Sequence, residues 1–596
     1  MMKSLTSRNA FWLLLIVACV TVLPFLGLAD FHTKGEPREA VVAYSMLESG
    51  DWVLPRNNGG DIPYKPPFFH WTVAAASELA GGHVSEFSSR LPSALALIAM
   101  TMFGFVFYSR RKGKEVALLT SLVTLTAFEL HRAGANCRVD MVLTALTVCS
   151  LYLFYRYYER GLKGVPWLAI LLMSCATLTK GPVGSLIPCL AFGVFLLLRG
   201  VNFFKAFFLL MGWGLASFIL PLCWYYAAWL NGGQEFLDLV MEENFGRMTN
   251  TMSYDSCVNP WHYNFVTLAG GYVPWILLVL ISLFSLGKIR KGLQPRESGE
   301  DSASTPGGLA GWWGQLSGRI RKADPVDLFS AICIFVIFLF YCFPQSKRSV
   351  YLMPIYPFIA YFLARYMIYL VKIKSKSVKV YGTVLAVVSL LLTGAFLAVK
   401  FGMVPTSIFH GRHAAQNIAM MENLATLDGL AAFPACLPPL LAIGWFFYLH
   451  YRKRYTTGYL YAICALTFGL YFALDGAYQP RVLAAKSQRP VAMEIDTIAP
   501  ASSGTLYEFI EEGELAAGDP VHFFELNFYL GDRIENFVRN KPSEGYLLIT
   551  DADAANYLPR FEQEGYRFTH LYDSSRPVLR RTAQLYRFTR GISGMI

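Results

Sequence analysis

The chain has 596 residues, 54% of them hydrophobic and 16% charged, with a formal net charge of +11. That apolar content excludes a disordered chain and argues against an ordinary soluble globule. The positive charge is scattered over short loops and not gathered on one domain, which argues against a nucleic-acid partner and for anionic membrane lipids.

Apolar runs approaching the roughly 20 residues that cross a bilayer define about thirteen predicted spans. They lie near 11–28, 89–108, 116–134, 140–156, 165–179, 182–198, 205–230, 264–286, 327–343, 350–371, 380–401, 430–450 and 457–476. The pair within 165–198 also reads as one broken hairpin. No small-residue cleavage site follows the first run, so it reads as an uncleaved signal-anchor. Lysine and arginine cluster at Lys3 and Arg8, in "SRRKGK" (109–114), at Arg156, Arg160 and Lys163, from Lys288 to Lys322, in "KIKSKSVK" (372–379) and in "YRKRY" (451–455). All fall on alternate loops, on the side of the N-terminus. The basic loops are therefore expected to be cytoplasmic and the intervening loops outward. An odd number of spans then carries the C-terminal tail outside.

Between the first two spans, the outward loop 29–88 contains "REAVVAYSMLESGDW". Val41, Val42, Met46 and Leu47 roughly keep helical spacing, and a helix lying in the membrane surface is expected, ending near Gly50 with Trp52 as an interfacial anchor. The segment "RESGEDSASTPGG" (296–308) reads as a polar linker. Beyond about residue 480 the pattern changes to short β-rich segments such as "GTLYEFI", "GYLLITD" and "AQLYRFT", separated by charged helical stretches. The expected organisation is a transmembrane domain over 1–480 and an outward α/β domain over 481–596. Asp551 and Asp553 read as a helix N-cap. Most of the eleven cysteines sit inside spans and read as small apolar residues. Cys137 and Cys257 fall in outward loops, and the reading leaves them unbridged.

Ionisable residues at membrane depth or in tight outward loops are costly, which makes each a functional candidate. They are Glu36 and Arg38 in "KGEPREA", Lys65 in "YKPPFFHW", Arg138 and Asp140 in "NCRVDM", Lys180 in "LTKGPVG", Glu242, Glu243 and Arg247 in "MEENFGR", and Lys347 and Arg348 in "PQSKRSVYLMPIYP". Cations outnumber acids, a balance that suits a phosphate or pyrophosphate at the membrane surface. Simpler roles are open for several of them. Lys180 and Arg348 stand at span ends, where long side chains snorkel, and Arg138 with Asp140, or Glu36 with Arg38, could pair locally. Lys65 resists such a reading, because Pro66 and Pro67 stiffen the backbone and disfavour a helical conformation at Lys65 itself. Its amine is held in an extended segment, as an anion site requires.

The stretches "GEPREAVVAYSMLESGDWVLPRNN", "YKPPFFHW", "SRLPSALA", "CRVDMVLTAL", "LTKGPVG", "ENFGRM", "YVPWILL" and "SKRSVYLMPIYP" stand in order over roughly residues 8–480. Together they resemble the aminoarabinose transferase family of C-type, polyprenyl-phosphate-sugar-dependent membrane glycosyltransferases, the superfamily of the protein O-mannosyltransferases. The resemblance implies an α-helical polytopic fold with an extracytoplasmic α/β tail. It also implies an inverting transfer of a sugar, aminoarabinose or another, from a polyprenyl-phosphate donor to lipid A or another envelope acceptor outside the bacterial inner membrane. Protein hydroxyls are the next acceptor class, and a lipid-phosphate carrier or flippase without chemistry is the alternative of a different kind.

By motif position, Lys65 resembles the lysine that grips the donor phosphate, with Arg38, Arg247 and Tyr351 as helpers and Lys347 grouped with them. Asp140 resembles the second outward acid. The sequence departs from the family at Gly35, where many relatives carry an aspartate proposed as catalytic base. A hydroxyl acceptor would then need Glu36 or Asp140 to take its proton, whereas a phosphate acceptor is already ionised. Tyr64 stands where relatives often carry a glutamate, and no other cluster has metal-ligand spacing. No cofactor beyond the donor lipid, and no metal, is expected.

Overall fold

The computed structural model describes residues 6–33, 35–63, 65–243, 258–285, 287, 322–411, 413–510, 522–578 and 581–591. Arg247, Tyr64 and Cys257 lie outside the described residues. The chain divides into two compact units, one of Met1–Leu26, Ser93–Cys223 and Cys257–Val482, the other of Gly27–Pro92, Trp224–Ser256 and Leu483–Ile596.

The first unit is helical. A helix satisfies its own backbone donors and acceptors, which the hydrocarbon of a bilayer cannot do. Among the described residues of the whole chain, eight helices are long and apolar enough to cross a membrane, from Ser7–Phe25 to Thr457–Ala484. The remaining predicted spans are helical but interrupted or short. The run at 264–286 is two helices, Tyr263–Gly271 and Trp275–Leu283, bent by 106°, with Pro274, which has no amide hydrogen to donate, at the break. The run at 116–134 divides into Lys114–Thr126 and Phe128–Gly134, because Ala127 takes an extended conformation and the Phe128 amide donates to the Val273 carbonyl at 3.0 Å.

The expected hairpin is present as Trp167–Lys180 and Val183–Leu198. Its arms meet closely at Gly184, where a Cβ would lie 2.3 Å from the Ala176 carbonyl carbon. Hydroxyls join across it: Thr177 to Ser185 at 2.7 Å, and Ser185 to Ser217 at 2.7 Å. Large apolar side chains such as Leu215, Ile219 and Leu222 remain exposed, a surface that only lipid would cover without penalty. The protein is thus a polytopic α-helical membrane protein that also carries a small C-terminal sheet.

The second unit is built on that five-stranded sheet: β1 (Leu506–Glu508), β2 (Ile534–Asn536), β3 (Glu544–Thr550), β4 (Tyr566–Asp573) and β5 (Ala583–Arg590), in the order β2-β1-β3-β5-β4. β1 runs parallel to β2 and β3, while β5 is antiparallel to β3 and β4. Alternation along β3 sends Tyr546 and Leu548 to one face, with Leu506, Ile534 and Leu585, and Leu547 and Ile549 to the other, with Phe537, Phe561 and Phe588. The helix Asp551–Gln563 follows β3. Its N-cap is Thr550, whose hydroxyl accepts from the Asp553 amide, so Asp551 and Asp553 occupy the first turn and not the cap.

The helix expected in "REAVVAYSMLESGDW" begins earlier, and runs from Gly35 to Ser49. Its Val41, Val42 and Met46 are buried within the unit, where it packs on the helices Phe68–Leu79 and Phe524–Tyr529. It is a core element and not an exposed surface helix; Trp52 beyond it is exposed.

Candidate functional site

Within the second unit, Glu36 and Glu39 stand one helical turn apart on Gly35–Ser49 and are each 2% exposed. Glu36 receives a forked pair of hydrogen bonds from Arg90, Nε to Oε1 at 2.8 Å and Nη2 to Oε2 at 3.2 Å. Arg90 also donates through Nη1 to the Ala29 carbonyl at 2.6 Å, and its guanidinium lies 5.1 Å from the Phe31 ring. Both Glu36 oxygens are therefore engaged by a buried cation.

Glu39 is surrounded differently. Its Oε1 accepts from the Lys65 ammonium, its Oε2 lies 3.0 Å from His70 Nε2, and Arg38 Nη2 is 3.6 Å from Oε1. Burial opposes ionisation of this carboxyl, but Lys65, His70 and Arg38 outweigh it and hold the group well below its ordinary range. The Lys65 side chain is 13% exposed. Pro66 and Pro67 follow it and the helix Phe68–Leu79 then begins, which places His70 on the first turns.

The approach to Lys65 is pinned on both sides. Trp71 Nε1 donates to the Trp52 carbonyl at 2.7 Å and Trp224 Nε1 to that of Val53 at 2.9 Å. Asn57 and Asp61 bridge the loop, and Gly59, with φ +73°, lies so close to β2 that a Cβ would be 2.7 Å from the Asn536 amide nitrogen. Asp61 accepts from Arg539 at 2.9 Å and faces His522 Nε2 at 3.1 Å, while His522 Nδ1 lies 2.7 Å from Glu508. Burial would lower the His522 pKa, but Glu508 and Asp61 push it up to about 10. Asp61 itself is held below its ordinary value: burial raises it, and His522 and Arg539 outweigh that.

In the first unit, Asp140 is buried in the first turn of Val139–Glu159 and pairs with Lys180, at the last turn of Trp167–Lys180. Lys180 is thus part of an ion pair and lies 4.5 Å from the centre of the Tyr351 ring, which stacks on Tyr341 at 5.3 Å. Lys347 is buried and donates to the Asn259 carbonyl at 3.2 Å, while Asn259 Nδ2 donates to the Lys347 carbonyl at 2.9 Å. Glu129, also buried, accepts from Arg132 at 2.7 Å and Ser349 at 2.9 Å.

Of the residues singled out in the sequence, Lys65 and Arg38 share one carboxylate, and Asp140 and Tyr351 share Lys180. Glu36 belongs to a separate pair with Arg90. Sequence reasoning missed Glu39, His70, Arg90 and Glu129. For Glu39 a signal existed, since it lies three residues from Glu36 and precedes the apolar run Ala40–Ala43; for Arg90 the signal was a charge within "SRLPSALA" at the start of the predicted span 89–108. Among the described residues, no group of three or more His, Cys, Asp or Glu side chains is arranged to hold a metal ion.

The family model for dolichyl-phosphate-mannose-protein mannosyltransferases matches residues 64–225. An uncharacterized protein of Aquifex aeolicus is 27% identical over 409 residues, covering 66% of this chain and 72% of that one. The undecaprenyl phosphate-alpha-4-amino-4-deoxy-L-arabinose arabinosyl transferase of Shewanella sediminis is 29% identical over 236 residues, 35% of this chain and 41% of that relative's length. In fold, the chain is similar to the crystal structure of ArnT from Cupriavidus metallidurans bound to undecaprenyl phosphate, with a TM-score of 0.65 at 19% identity over 96% of this chain and 97% of that one.

The many-span helical bundle with a small sheet shares the fold of that neighbour over nearly its whole length, and its sequence is similar to those of membrane glycosyltransferases. In sequence, the chain is similar to the aminoarabinose transferases among these relatives.

Proposed function

We propose that this protein moves a sugar, aminoarabinose or a related one, from undecaprenyl phosphate to lipid A or another envelope acceptor, with inversion, at the outer face of the bacterial inner membrane. The observation that carries this reading is Lys65: an ammonium at the end of a pinned, proline-stiffened segment, partly open, with Arg38 beside the same carboxylate. The names of the relatives supply the donor class. The alternate placement of the basic loops supports the orientation.

In this reading an acceptor oxygen attacks the anomeric carbon from the face opposite the phosphate. The bond from that carbon to the phosphate oxygen breaks, and its electron pair leaves with the phosphate. A phosphate is a good leaving group that needs charge stabilisation and no general acid, so cations make the largest contribution. Lys65 and Arg38 supply it, with Arg247, Lys347 and Tyr351 assigned to the donor phosphate by their motifs. Asp140 takes the proton of a hydroxyl acceptor; a phosphate acceptor needs no base. Glu36, with both oxygens on Arg90, acts as a brace for the helix that carries Arg38. The reaction calls for no cofactor or metal beyond the donor lipid.

The test is transfer in proteoliposomes, with undecaprenyl-phosphate sugars and extracted envelope lipid, read by mass spectrometry. Sugar on lipid with wild type and its loss in Lys65→Ala is the expected result. Undiminished binding of lipid phosphate that depends on Lys65, with no transfer from any donor, would mark a carrier instead.

A further inference from the structure

The partner that Lys65 holds is itself an anion. Glu39 divides its two oxygens between Lys65 and His70, with Arg38 3.6 Å away, on a helix whose neighbouring positions are Ala40, Val41, Val42 and Ala43. A buried ion pair is costly to desolvate and often adds nothing to stability over apolar side chains of the same volume. A carboxylate and a phosphate are, moreover, interchangeable ligands for an ammonium, since both accept the same charge-assisted hydrogen bonds.

Transfer changes the charge that Lys65 must hold. The donor is a phosphodiester with one negative charge. When the anomeric bond breaks with its electron pair on the phosphate, the lipid leaves as a monoester carrying roughly −1.5 to −2 near pH 7. A fixed cationic pocket therefore grips the spent lipid more tightly than the donor, and turnover stalls on product unless something competes for the cation.

We propose that Glu39 is an internal counter-anion: it competes with lipid phosphate for Lys65 and takes the ammonium back as the spent polyprenyl phosphate departs. This rests on the reading that Lys65 grips the donor phosphate. His70 and Arg38 stay beside Glu39 while Lys65 is engaged elsewhere, so the carboxylate is held in place to reclaim it. The buried Nδ1 of His70 has no hydrogen-bond partner among the described residues, which leaves Glu39 as the ring's polar contact. Glu39 is in this sense a positioning residue and not a proton carrier.

The experiment measures undecaprenyl phosphate affinity in nanodiscs together with single-turnover and steady-state transfer for the full chain. Glu39→Gln, which keeps the shape and removes the charge, is expected to bind undecaprenyl phosphate about tenfold more tightly. Its steady-state kcat should fall relative to its own single-turnover rate, with a burst of product. His70→Gln, which leaves Glu39 more fully to Lys65, is expected to weaken binding several-fold, and it serves if Glu39→Gln fails to fold. Equal or weaker binding in a folded Glu39→Gln, or unchanged or tighter binding in His70→Gln, overturns the proposal. Lys65→Ala separates the two levels of argument: if it binds the lipid as well as wild type does, the phosphate-grip reading fails, whatever Glu39 does.

Discussion

Glu36→Gln distinguishes a structural carboxylate from a catalytic one. The two roles were both open on sequence grounds, and the geometry favours the first. Glu36 and Arg90 are 2% and 3% exposed, joined by two hydrogen bonds of 2.8 and 3.2 Å. A glutamine turns an N–H toward the guanidinium and leaves Arg90 buried with its charge uncompensated. Breaking such a pair from one side costs about 3–5 kcal/mol. Replacing Arg90 by glutamine as well removes the stranded charge, and stability should partly recover, with the coupling read from the double-mutant cycle.

The assay is thermal unfolding in detergent, with single-turnover transfer measured well below the transition. A large drop in unfolding temperature for Glu36→Gln, near wild-type transfer in the fraction still folded, and recovery in the double variant are expected. A general base contributes about 10²- to 10⁴-fold to the rate. Wild-type unfolding with a transfer loss of that size would refute the brace and make Glu36 the base.

Asp140→Asn is expected to slow transfer to a hydroxyl acceptor by about 10²- to 10⁴-fold, with donor affinity changed little. A phosphate acceptor would show a much smaller loss, so single-turnover rates on the two acceptor classes check the assignment. The raised pKa of His522, from its ordinary 6.5 to about 10, stabilises the second unit fully below pH 6.5, and that stability is lost as pH rises toward 10. The lowered pKa of Asp61 acts oppositely: its contribution is present above the ordinary carboxylate range and is lost as pH falls through the folded value. Hydrogen exchange of the sheet followed across pH should show both limits, and His522→Gln should abolish the alkaline one. Gly184→Ala forces a Cβ into the Ala176 backbone and should destabilise the hairpin by about 1–3 kcal/mol; an unfolding temperature equal to wild type would contradict the close approach.

What was legible in the sequence followed from constraints that act locally. A bilayer demands long apolar helices, so the runs announced the spans. Two prolines after Lys65 restrict its backbone, so a fixed ammonium could be read there. Alternating residues announced the strands of the C-terminal sheet. Partners separated along the chain were not legible, because they depend on which helices pack together. Glu36 meets Arg90 across 54 residues and Glu39 meets Lys65 across 26. Asp140 turned from its neighbour Arg138 to Lys180, 40 residues on. The helix Gly35–Ser49 likewise has an amphipathic sequence that fits a membrane surface as well as a core, and only the packing of Phe68–Leu79 and Phe524–Tyr529 against it decided for the core. Sequence alone determined which segments are apolar enough for a membrane and where a lysine is followed by two prolines that restrict its backbone, since these are properties of short stretches. Tertiary structure decided which carboxylate meets Arg90 and which meets Lys65, because charge pairing in a buried site depends on distances that short stretches do not specify.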